Sequence, residues 1–479
     1  MTIAKNIPRL VIAAPQGRSG KTTITIGLLG ALKKQGYRVQ PFKKGPDYID
    51  PSWLSAAAGR TCRNLDSFLL DDEDIKRSLI QAASDAHLAV VEGAMGFYDG
   101  MDLEGNGSTA QIAKKIEAPV LLVLDCQRMS RSAAALVMGF QKFDPEIRIA
   151  GVILNNVSRP RHRARLVESI AKYCHIPVVG FLPRDGNLTI PGRHLGLMSA
   201  GESEELEDFF SRLSCLVEDN FDLDEILSIA GQAFPLELKD TGEPFPLVSQ
   251  FPPSIGVIRD QAFNFYYPEN LEALEKAGAS LCYLNSMGDA NLPELDGLLI
   301  GGGQPEIFAA RLAENKVFRE QLSREIEKGL PVYAEGGGLL YLSRGIDVDG
   351  NRYPMVGALP FEVSLDSKPR GHGYTVMETV LSNPYFSKGS LVKGHEFHRS
   401  RLRNLDHELV EFAFRVKRGH GFDKNADGLI YKNVFASFTH IHALSQPEWA
   451  VRLVAAARSY KQKKKEGFIY STSNWRGVI

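Results

Sequence analysis

The loop between the first predicted strand and the first predicted helix is the feature that most constrains the fold of this chain. Leu10–Ala14 is an apolar run typical of a buried strand, and Thr22–Gln35 has the pattern of a helix that stops at Gly36. From Ala14 to Thr23 the chain reads Ala-Pro-Gln-Gly-Arg-Ser-Gly-Lys-Thr-Thr. A glycine-rich turn that opens a helix presents backbone N–H groups and the helix dipole to a phosphate. The loop therefore predicts a nucleotide site.

The residue types in this loop suit separate tasks. Gly17 and Gly20 permit a tight backbone path, Lys21 would reach the β- and γ-phosphates, and the Thr22 hydroxyl would hold Mg²⁺. The standard pattern has glycine where Pro15 stands, and a purely structural turn is the alternative interpretation. The predicted nucleotide contacts of the loop are Gly17, Ser19, Gly20, Lys21, Thr22 and Thr23.

Apolar runs continue to alternate with helical stretches in the first half of the chain. The further predicted strands are Val39–Phe42, Leu88–Val91, Val120–Leu124, Ile149–Leu154 and Val178–Phe181. Nearly continuous apolar strands separated by helices are typical of a parallel sheet that is covered on both faces. We therefore predict an α/β fold whose first domain, residues 1–235, is a doubly wound parallel sheet carrying the phosphate loop.

A proline-rich stretch separates this domain from a second α/β pattern. Five prolines lie between Phe234 and Ser254, and residues 236–253 are predicted to be a linker. The second domain is predicted at residues 254–460, with a C-terminal tail at 461–479. Its predicted elements are the strand Ser254–Ile258, the helix Pro268–Lys276, and the strands Leu281–Leu284, Gly297–Ile300 and Pro331–Ala334.

Composition narrows the class of protein. A formal net charge of -1 gives no basic surface for nucleic acid. The chain lacks an apolar run of roughly 18 residues, so we expect no membrane partner. Five scattered cysteines favour a reducing cytoplasm over a disulfide framework or a zinc ribbon. A homodimer is an assembly that the sequence neither requires nor excludes.

Acidic residues follow two of the predicted strands. Asp47 and Asp50 lie in a turn between prolines, and Glu92 directly follows the predicted strand that ends at Val91. The carboxyl ends of parallel strands line one ligand crevice, so these carboxylates should face the phosphate loop. Mg²⁺-binding carboxylates and a lysine are the expected parts of a phosphoryl-transfer site. Simple capping of a turn is the alternative for the two aspartates.

The motifs together are similar to those of the cobyrinate a,c-diamide synthase family. They occur in the family's order over nearly the whole chain. The motifs are Ser19–Thr23, Phe42–Pro51, Arg63–Asp66, Val91–Gly100, Gly151–Asn156, Gly301–Glu306, Gly394–His398 and His440–His442. The resemblance implies that ATP phosphorylates the a- and c-acetate carboxylates of a corrin, and that ammonia from glutamine then displaces phosphate. Relatives that amidate siroheme-type or sirohydrochlorin-type macrocycles share these motifs.

The resemblance also implies residue roles. Lys21 and Lys43 would contact phosphates, and Thr22 and Glu92 would hold Mg²⁺. Asp47 would also serve the metal, and it would lie with Tyr48 and Asp50 beside the substrate carboxylate. Asn155 or Asn156 would lie near the base, and Pro183 beside the nucleotide. A large polyanionic tetrapyrrole needs basic contacts, for which the candidates are Arg60, Arg128 and Arg131; an ordinary surface arginine is the alternative at each.

The second domain resembles class I glutamine amidotransferases, but its nucleophile is absent. The family has a catalytic cysteine on a sharp turn after a strand, and this chain has Gly336 there. His440 matches the catalytic histidine, and Gly302 and Gly303 match the oxyanion loop. Three explanations stay open: the enzyme uses free ammonia, the chain is a Cys→Gly variant of an active enzyme, or another residue has taken over.

Two other classes of function compete with an amide-forming enzyme. A nucleotide-switched regulator would explain the phosphate loop but not the second domain, and a scaffold protein would explain Gly336 but not the retained carboxylates. The spacing of His395 with His398, and of His440 with His442, also occurs in metal motifs. Structural or substrate-contacting roles are the alternative for these histidines.

Overall fold

A computed structural model of the chain describes residues 2–185, 188, 190, 204–239 and 251–467. The chain divides into two compact units, residues 1–242 and residues 243–479. No helix in these described stretches combines the length and the apolar character needed to cross a membrane. Cys62, Cys126, Cys174, Cys215 and Cys282 are all free thiols.

In the first unit the described elements follow one another as strand and helix. They are β1 (Thr2–Lys5), β2 (Arg9–Ala13), α1 (Lys21–Lys34), β3 (Val39–Lys44), α2 (Ile49–Ala58), β4 (Arg63–Leu65), α3 (Asp72–Ala82), β5 (Leu88–Glu92), α4 (Thr109–Lys115), β6 (Val120–Asp125), α5 (Ser132–Phe143), β7 (Ile149–Val157), α6 (Pro160–Cys174), β8 (Val178–Pro183), α7 (Glu204–Asn220), α8 (Leu223–Gly231) and β9 (Leu236–Lys239).

A parallel sheet of seven strands forms the centre of this unit. Its strand order is β4-β3-β5-β2-β6-β7-β8, and every pairing in it is parallel. All residues of β2 and β5 are buried, as expected for strands covered by helices on both faces. Strands β3, β4 and β5 lie on one side of β2, and β6, β7 and β8 lie on the other. The order therefore reverses at β2, where an open α/β sheet binds its ligand. The predicted doubly wound fold is confirmed.

The boundaries of the first unit differ from the expectation in one respect. Leu236–Lys239 was expected to lie in the linker, but it forms β9 and pairs antiparallel with β1. Neither strand shows the long apolar run that marks the central sheet, so the sequence pattern did not reveal this pair. The remainder of the expected linker includes residues 240–250, which lie outside the described residues.

The second unit begins with alternating strands and helices, and then consists mainly of strands. Its described elements are β10 (Ser254–Ile258), α9 (Pro268–Lys276), β11 (Ser280–Leu284), β12 (Gly297–Ile300), α10 (Ala309–Glu314), α11 (Lys316–Glu327), β13 (Val332–Glu335), α12 (Gly337–Leu342), β14 (Gly345–Val348), β15 (Asn351–Pro354), β16 (Glu362–Leu365), β17 (Gly371–Thr379), β18 (Leu391–His398), β19 (Ser400–Arg403), β20 (Glu411–Arg418), β21 (Ala426–Tyr431), β22 (Val434–Ser437), β23 (His440–Ile441) and α13 (Pro447–Lys465).

A mixed sheet of ten strands organises this unit. The order is β11-β10-β12-β13-β22-β21-β20-β17-β18-β23. The first five strands are parallel, and the others pair antiparallel. One apolar core includes residues of α11 and α12, and a second includes residues of α9 and α13. The predicted α/β amidotransferase-like fold is confirmed, while the antiparallel extension and the small sheet β15-β14-β16-β19 are additions that the sequence pattern did not reveal.

The last helix also departs from the expected boundary. Helix α13 continues to Lys465, five residues beyond the predicted domain end at residue 460. Lys463, Lys464 and Lys465 lie in its last turn, where positive charge complements the negative end of the helix dipole. The basic run is therefore the end of a helix, and the expected tail from residue 468 onward lies outside the described residues.

Candidate active site

The phosphate loop has the local geometry of an anion site. Strand β2 leads into it, and α1 begins at Lys21 directly after Gly20, whose φ of 90° lies in the left-handed region that favours glycine. A Cβ on Gly20 would lie 2.1 Å from Nδ2 of Asn155, which donates to the Ser19 carbonyl at 2.9 Å. The Ser19 hydroxyl donates to the Gln16 carbonyl at 3.0 Å. The first-turn N–H groups of α1 have no partner within the helix, so they are donors for a phosphate.

Lys21 is buried beside this loop. Its ammonium donates to the carbonyl oxygens of Met95 at 2.7 Å and Gln16 at 3.3 Å. Burial, together with the positive charge of Lys43, lowers the pKa of Lys21 to about 8, although Glu92 opposes the shift. An anionic phosphate at the loop would favour the charged form of this lysine.

A cluster of charged side chains lies at the carboxyl ends of β3 and β5. The two strands are parallel neighbours, and their register sets Lys43 opposite Glu92. The Lys43 ammonium lies 2.7 Å from Oε1 of Glu92 and 2.5 Å from Oδ2 of Asp50. Oδ2 of Asp47 is 4.0 Å away, and the Thr22 hydroxyl donates to Oε1 of Glu92 at 2.7 Å. The register of the sheet thus connects the first turn of α1 with the acidic turn after β3.

Burial and charge act in opposite directions on this cluster. Burial lowers the pKa of Lys43, but the attraction of Glu92, Asp50 and Asp47 outweighs it and leaves the pKa above its ordinary value. Burial raises the pKa of Glu92, and the Lys43 charge opposes that rise. Lys43 therefore remains an ammonium group at neutral pH and compensates a carboxylate that has no access to water.

The cluster fits a magnesium ion. Glu92 is fully buried, and its Oε2 atom has no hydrogen-bond partner among the residues that the structure describes. Mg²⁺ is usually held by one or two carboxylates, with phosphates and waters completing its shell. Glu92 and Thr22 would hold the ion from the first unit. Within the described stretches, no group of three or more His, Cys, Asp or Glu side chains is arranged to hold a metal by itself, which is compatible with a shell that phosphate completes.

Asp47 combines two of the roles that its sequence context allowed. Its Oδ1 accepts from the backbone N–H groups of Ile49 at 2.9 Å and Asp50 at 3.2 Å, which is turn capping. Its Oδ2 faces the Lys43 ammonium. Tyr48 follows at the start of α2. Capping and a position in the charged cluster are therefore compatible in this turn.

Other predicted nucleotide contacts lie along the same edge of the sheet. Asn155 lies in β7 and contacts the phosphate loop as described above. Asn156, with a left-handed φ of 58°, donates to Oδ1 of Asp125 at 3.0 Å at the end of β6. Pro183 ends β8, and Thr23 lies in the first turn of α1. The edge thus brings the ends of β2, β6, β7 and β8 together, as the parallel topology requires.

The three arginines proposed for the substrate lie in different places. Arg128 and Arg131 are exposed and follow β6 at the carboxyl edge, with Arg131 stacked over the Tyr173 ring at 5.0 Å. Arg60 instead pairs with Asp85, just before β5, and with Gln40, the second residue of β3. Those partners mark the amino edge of the sheet. The structure does not bring Arg60 to the phosphate loop, because the chain returns to the amino edge after α2.

In the second unit the strand β13 ends in a sharp turn at Gly336. This residue has φ 48° and ψ -107° before α12 begins, and its N–H donates to the Ser437 carbonyl at 2.8 Å. A Cβ built on Gly336 would lie 2.6 Å from Nε2 of His440. The turn has the strained geometry of a nucleophile elbow, but position 336 supplies no side-chain nucleophile.

His440 is held by the residue that precedes the elbow. Its Nδ1 atom lies 3.3 Å from Oε2 of Glu335, and Oε1 of Glu335 accepts from the N–H of Ile441 at 3.1 Å. His395 stacks on His440 with ring centroids 5.1 Å apart. Burial, then the neighbouring histidines, hold the pKa of His395 well below its ordinary value. The predicted histidine is thus poised toward Gly336 and flanked by a neutral ring.

His442 does not continue the strand of His440. Strand β23 ends at Ile441, and Nδ1 of His442 accepts from the Leu444 N–H at 3.2 Å. Its Nε2 lies 3.6 Å from Oε2 of Glu269. The two-residue spacing would place both side chains on one side of an extended strand, but this strand is too short to include His442.

The predicted oxyanion loop lies next to the elbow. A Cβ on Gly302 would lie 2.3 Å from Cε1 of His440, and a Cβ on Gly337 would lie 2.9 Å from the Gly303 carbonyl. The sequence interpretation found this loop and His440, but it missed the roles of Glu335 and of His395. The available signal for Glu335 was its position directly before the elbow, on a strand that pairs with β22 just ahead of His440.

Two family models match the two units. A model described as a CobQ/CobB/MinD/ParA nucleotide binding domain matches residues 10–197. A model described as a CobB/CobQ-like glutamine amidotransferase domain matches residues 254–448. Each match covers the site that the geometry indicates in its unit.

Relatives match nearly the whole chain. A cobyrinate a,c-diamide synthase of Magnetococcus marinus is 44% identical over 448 residues, which cover 93% of this chain and 96% of the relative. The chain belongs to the cobyrinate a,c-diamide synthase family. A synthase of the same description from Methanosarcina acetivorans is 40% identical over 488 residues, covering 97% of this chain and 98% of the relative. Family membership confirms the predicted resemblance and makes this chain an amidating ligase with a nucleotide-binding unit.

Proposed function

We propose that this chain uses ATP to convert the a- and c-acetate carboxylates of cobyrinate into amides through acyl phosphates. The observation that carries the proposal is the buried link from Thr22 through Glu92 to Lys43 and Asp50 beside the phosphate loop. Family membership supplies the substrate class, because the relatives are described as cobyrinate a,c-diamide synthases. The five free cysteines support a cytoplasmic setting.

The proposed chemistry proceeds in two substitutions. A substrate carboxylate oxygen attacks the γ-phosphorus of ATP, and the bond from that phosphorus to the bridging oxygen of ADP breaks. Ammonia then attacks the acyl carbon, the bond to phosphate breaks, and the nitrogen loses a proton. A carboxylate is a poor acyl donor, and the first substitution creates a leaving group. The sum is ATP, ammonia and a carboxylate giving ADP, phosphate and an amide.

The side chains of the first unit suit the first substitution. Lys21 and the first-turn N–H groups of α1 would bind the phosphates, and Lys43 would neutralise charge near the acceptor carboxylate. A bound Mg²⁺ would supply further charge neutralisation at the phosphates. Glu92 and Thr22 would hold it, while Asp47, Tyr48 and Asp50 would orient the substrate carboxylate. Arg128 and Arg131 would bind other carboxylates of the tetrapyrrole.

The nitrogen source in this proposal is free ammonia. Glycine at position 336 has no atom that could form a thioester with glutamine. The second unit still retains the elbow, His440 and the neighbouring glycine loop. We therefore assign amide formation to the first unit. The loss of glutamine hydrolysis in the second unit is explained by the single residue at position 336.

The test measures amide products by mass spectrometry. The chain is incubated with ATP, Mg²⁺ and cobyrinate, with either ammonium or glutamine, and in parallel with a siroheme-type tetrapyrrole. Two successive losses of about one dalton in cobyrinate are expected with ammonium, because each carboxylate becomes an amide by way of its phosphate. If only the siroheme-type compound were amidated, and not cobyrinate, the substrate in the proposal would be wrong. ATP hydrolysis without any tetrapyrrole, and no amide, would support a nucleotide-switched regulator instead.

A further inference from the structure

The histidine at the vacant elbow needs a partner that fixes its ring. In a neutral histidine, the hydrogen bond that one ring nitrogen makes sets the tautomer, and with it which nitrogen can accept a proton. Here Nε2 is the atom of His440 nearest to position 336, since a Cβ there would lie 2.6 Å from it. The group that selects the tautomer must therefore contact Nδ1.

The residue two positions along the chain does not provide that contact. His442 accepts the Leu444 N–H with its own Nδ1 and directs Nε2 toward Glu269. Its ring also packs against Tyr267, with centroids 4.6 Å apart. These contacts tie His442 to α9 and to the following turn.

Glu335 contacts the histidine segment with both of its carboxylate oxygens. Oε2 lies 3.3 Å from Nδ1 of His440, and Oε1 accepts the Ile441 N–H at 3.1 Å. One carboxylate therefore holds both the ring and the backbone of the histidine segment. Glu335 and His440 are each at most 5% exposed, so water competes little for these contacts. A carboxylate that accepts from Nδ1–H leaves Nε2 as the proton acceptor.

We propose that Glu335 is the positioning residue of the second unit, which sets the tautomer of His440 so that Nε2 would deprotonate a thiol placed at position 336, where this chain has glycine. The carboxylate lies on the strand that also carries the elbow, so one strand end delivers both the orienting group and the nucleophile position. This inference concerns glutamine hydrolysis and does not depend on ATP or on the tetrapyrrole.

The ionisable groups packed around the Glu335–His440 contact come from several elements. His395 on β18 stacks on His440, and burial holds its pKa well below the ordinary value. Tyr266 and Tyr333 lie close enough to Glu335 for its charge to act on them, and burial raises the pKa of both phenols. His442 and Glu269 form the remaining ionisable pair nearby. Around neutral pH, His395 therefore stays neutral and the two tyrosines stay protonated, so their charges do not change.

The first experiment introduces a thiol as a reporter. In a Gly336→Cys host, the rate of alkylation at position 336 by iodoacetamide is followed against pH by peptide mass spectrometry, with and without Glu335→Gln. The amide oxygen of glutamine can still accept the Ile441 N–H, but its NH₂ group would face Nδ1 and select the wrong tautomer. We expect the alkylation profile to move about one unit to higher pH, which lowers the neutral rate about tenfold. Hydrolysis of glutamine by the host should fall in parallel.

The chain offers a matched control at Glu396. This glutamate is also buried, lies 3.6 Å from His398, and accepts backbone N–H groups of His420 and Gly421. Glu396→Gln in the same host should leave the alkylation profile in place. Equal shifts for the two substitutions would indicate a general effect of buried charge and overturn the proposal, as would no shift for Glu335→Gln.

A second measurement uses the native glycine at position 336, in case the host is unstable. The ring nitrogen resonances of His440 are observed by ¹⁵N NMR with labelled histidine and assigned by their loss in His440→Gln. In the neutral ring of His440, the native chain should show a protonated Nδ1 and an unprotonated Nε2, and Glu335→Gln should exchange them. The same tautomer in both proteins would overturn the proposal.

Discussion

Lys43 and Glu92 form a buried ion pair whose ammonium and carboxylate oxygen are 2.7 Å apart, on neighbouring strands at the edge that carries the phosphate loop. The Lys43 side chain is 3% exposed and that of Glu92 is 0% exposed. Asp50 and Thr22 attach the pair to the acidic turn and to α1. The pair therefore connects the nucleotide side of the site with its acceptor side.

Lys43→Met should damage both stability and activity. Removing one partner of a buried pair leaves an uncompensated charge, which costs about 3–5 kcal/mol. We expect the free energy of unfolding to fall by that amount in urea titrations, and amide formation to fall at least about a hundredfold, or about 2.7 kcal/mol of barrier. Lys114→Met is the matched control, because Lys114 pairs with Asp144 at the surface and should cost at most about 1 kcal/mol. Equal stability of the two variants would contradict the prediction.

ATP affinity should weaken as the pH rises above about 8. The pKa of Lys21 falls from its ordinary value of 10.5 to about 8 in the nucleotide-free chain, so this group loses its proton earlier than in the unfolded chain. Phosphate prefers the charged lysine, and each pH unit above that pKa should raise the Kd up to about tenfold. Calorimetric titrations with ATP between pH 7.5 and 9.5 measure this.

Lys21→Arg separates the lysine from other sources of pH dependence. A guanidinium stays charged over this range, so the dependence of the Kd on pH should be much flatter in this variant than in the native chain. A Kd for the native chain that stays constant to pH 9.5 would contradict the assignment.

The local motifs predicted the nucleotide half of the site because each lies within a few residues of the chain. Gly20, Lys21 and Thr22 follow a strand and open a helix, and that order alone determines their geometry. The pairing of Lys43 with Glu92 depends on strand register, which the sequence pattern did not provide. Arg60 could have been excluded by topology, since a residue between a helix and the next parallel strand lies at the amino edge.

The second unit was harder to predict from the sequence. Its parallel strands have continuous apolar runs, but β17 alternates buried and partly exposed residues from Thr375 to Thr379 and pairs with β18 over eight positions. The periodic pattern of buried residues in such a strand does not specify its partner strands, because an antiparallel sheet can be extended at either edge. Glu335 could not be assigned to His440 for a related reason, since the two are 105 residues apart.

Gly20→Ala should disable the phosphate loop. The backbone there has φ 90°, and the added methyl group would meet Nδ2 of Asn155 at 2.1 Å. Strain in the left-handed region costs about 1–3 kcal/mol, and we expect ATP affinity to fall at least about tenfold in calorimetric titrations. Adding Asn155→Ala removes the clash but not the strain, so it should restore only part of the loss. Gly139→Ala in α5, where a Cβ meets no atom within 4 Å, should leave ATP affinity unchanged.

Gly336→Cys should destabilise the chain and allow it to use glutamine as a nitrogen source. The elbow has φ 48° and ψ -107°, a region that costs a residue with a side chain about 1–3 kcal/mol. The new Cβ would also displace the His440 ring, which lies 2.6 Å from it. We therefore expect a lower free energy of unfolding in urea and a higher ratio of glutamine-dependent to ammonium-dependent amide formation.

Gly336→Ala supplies the same strain without a thiol, so it isolates the chemical effect of the cysteine. It should lose a similar free energy of unfolding, because its Cβ has the same backbone and meets the same ring. Its ratio of glutamine-dependent to ammonium-dependent product should stay at the native value, since no thioester can form. If the cysteine variant gained no glutamine-dependent product while the thiol at position 336 reacted normally with iodoacetamide, the missing side chain would not be the sole defect. The glutamine pocket itself would then have been lost along with the nucleophile.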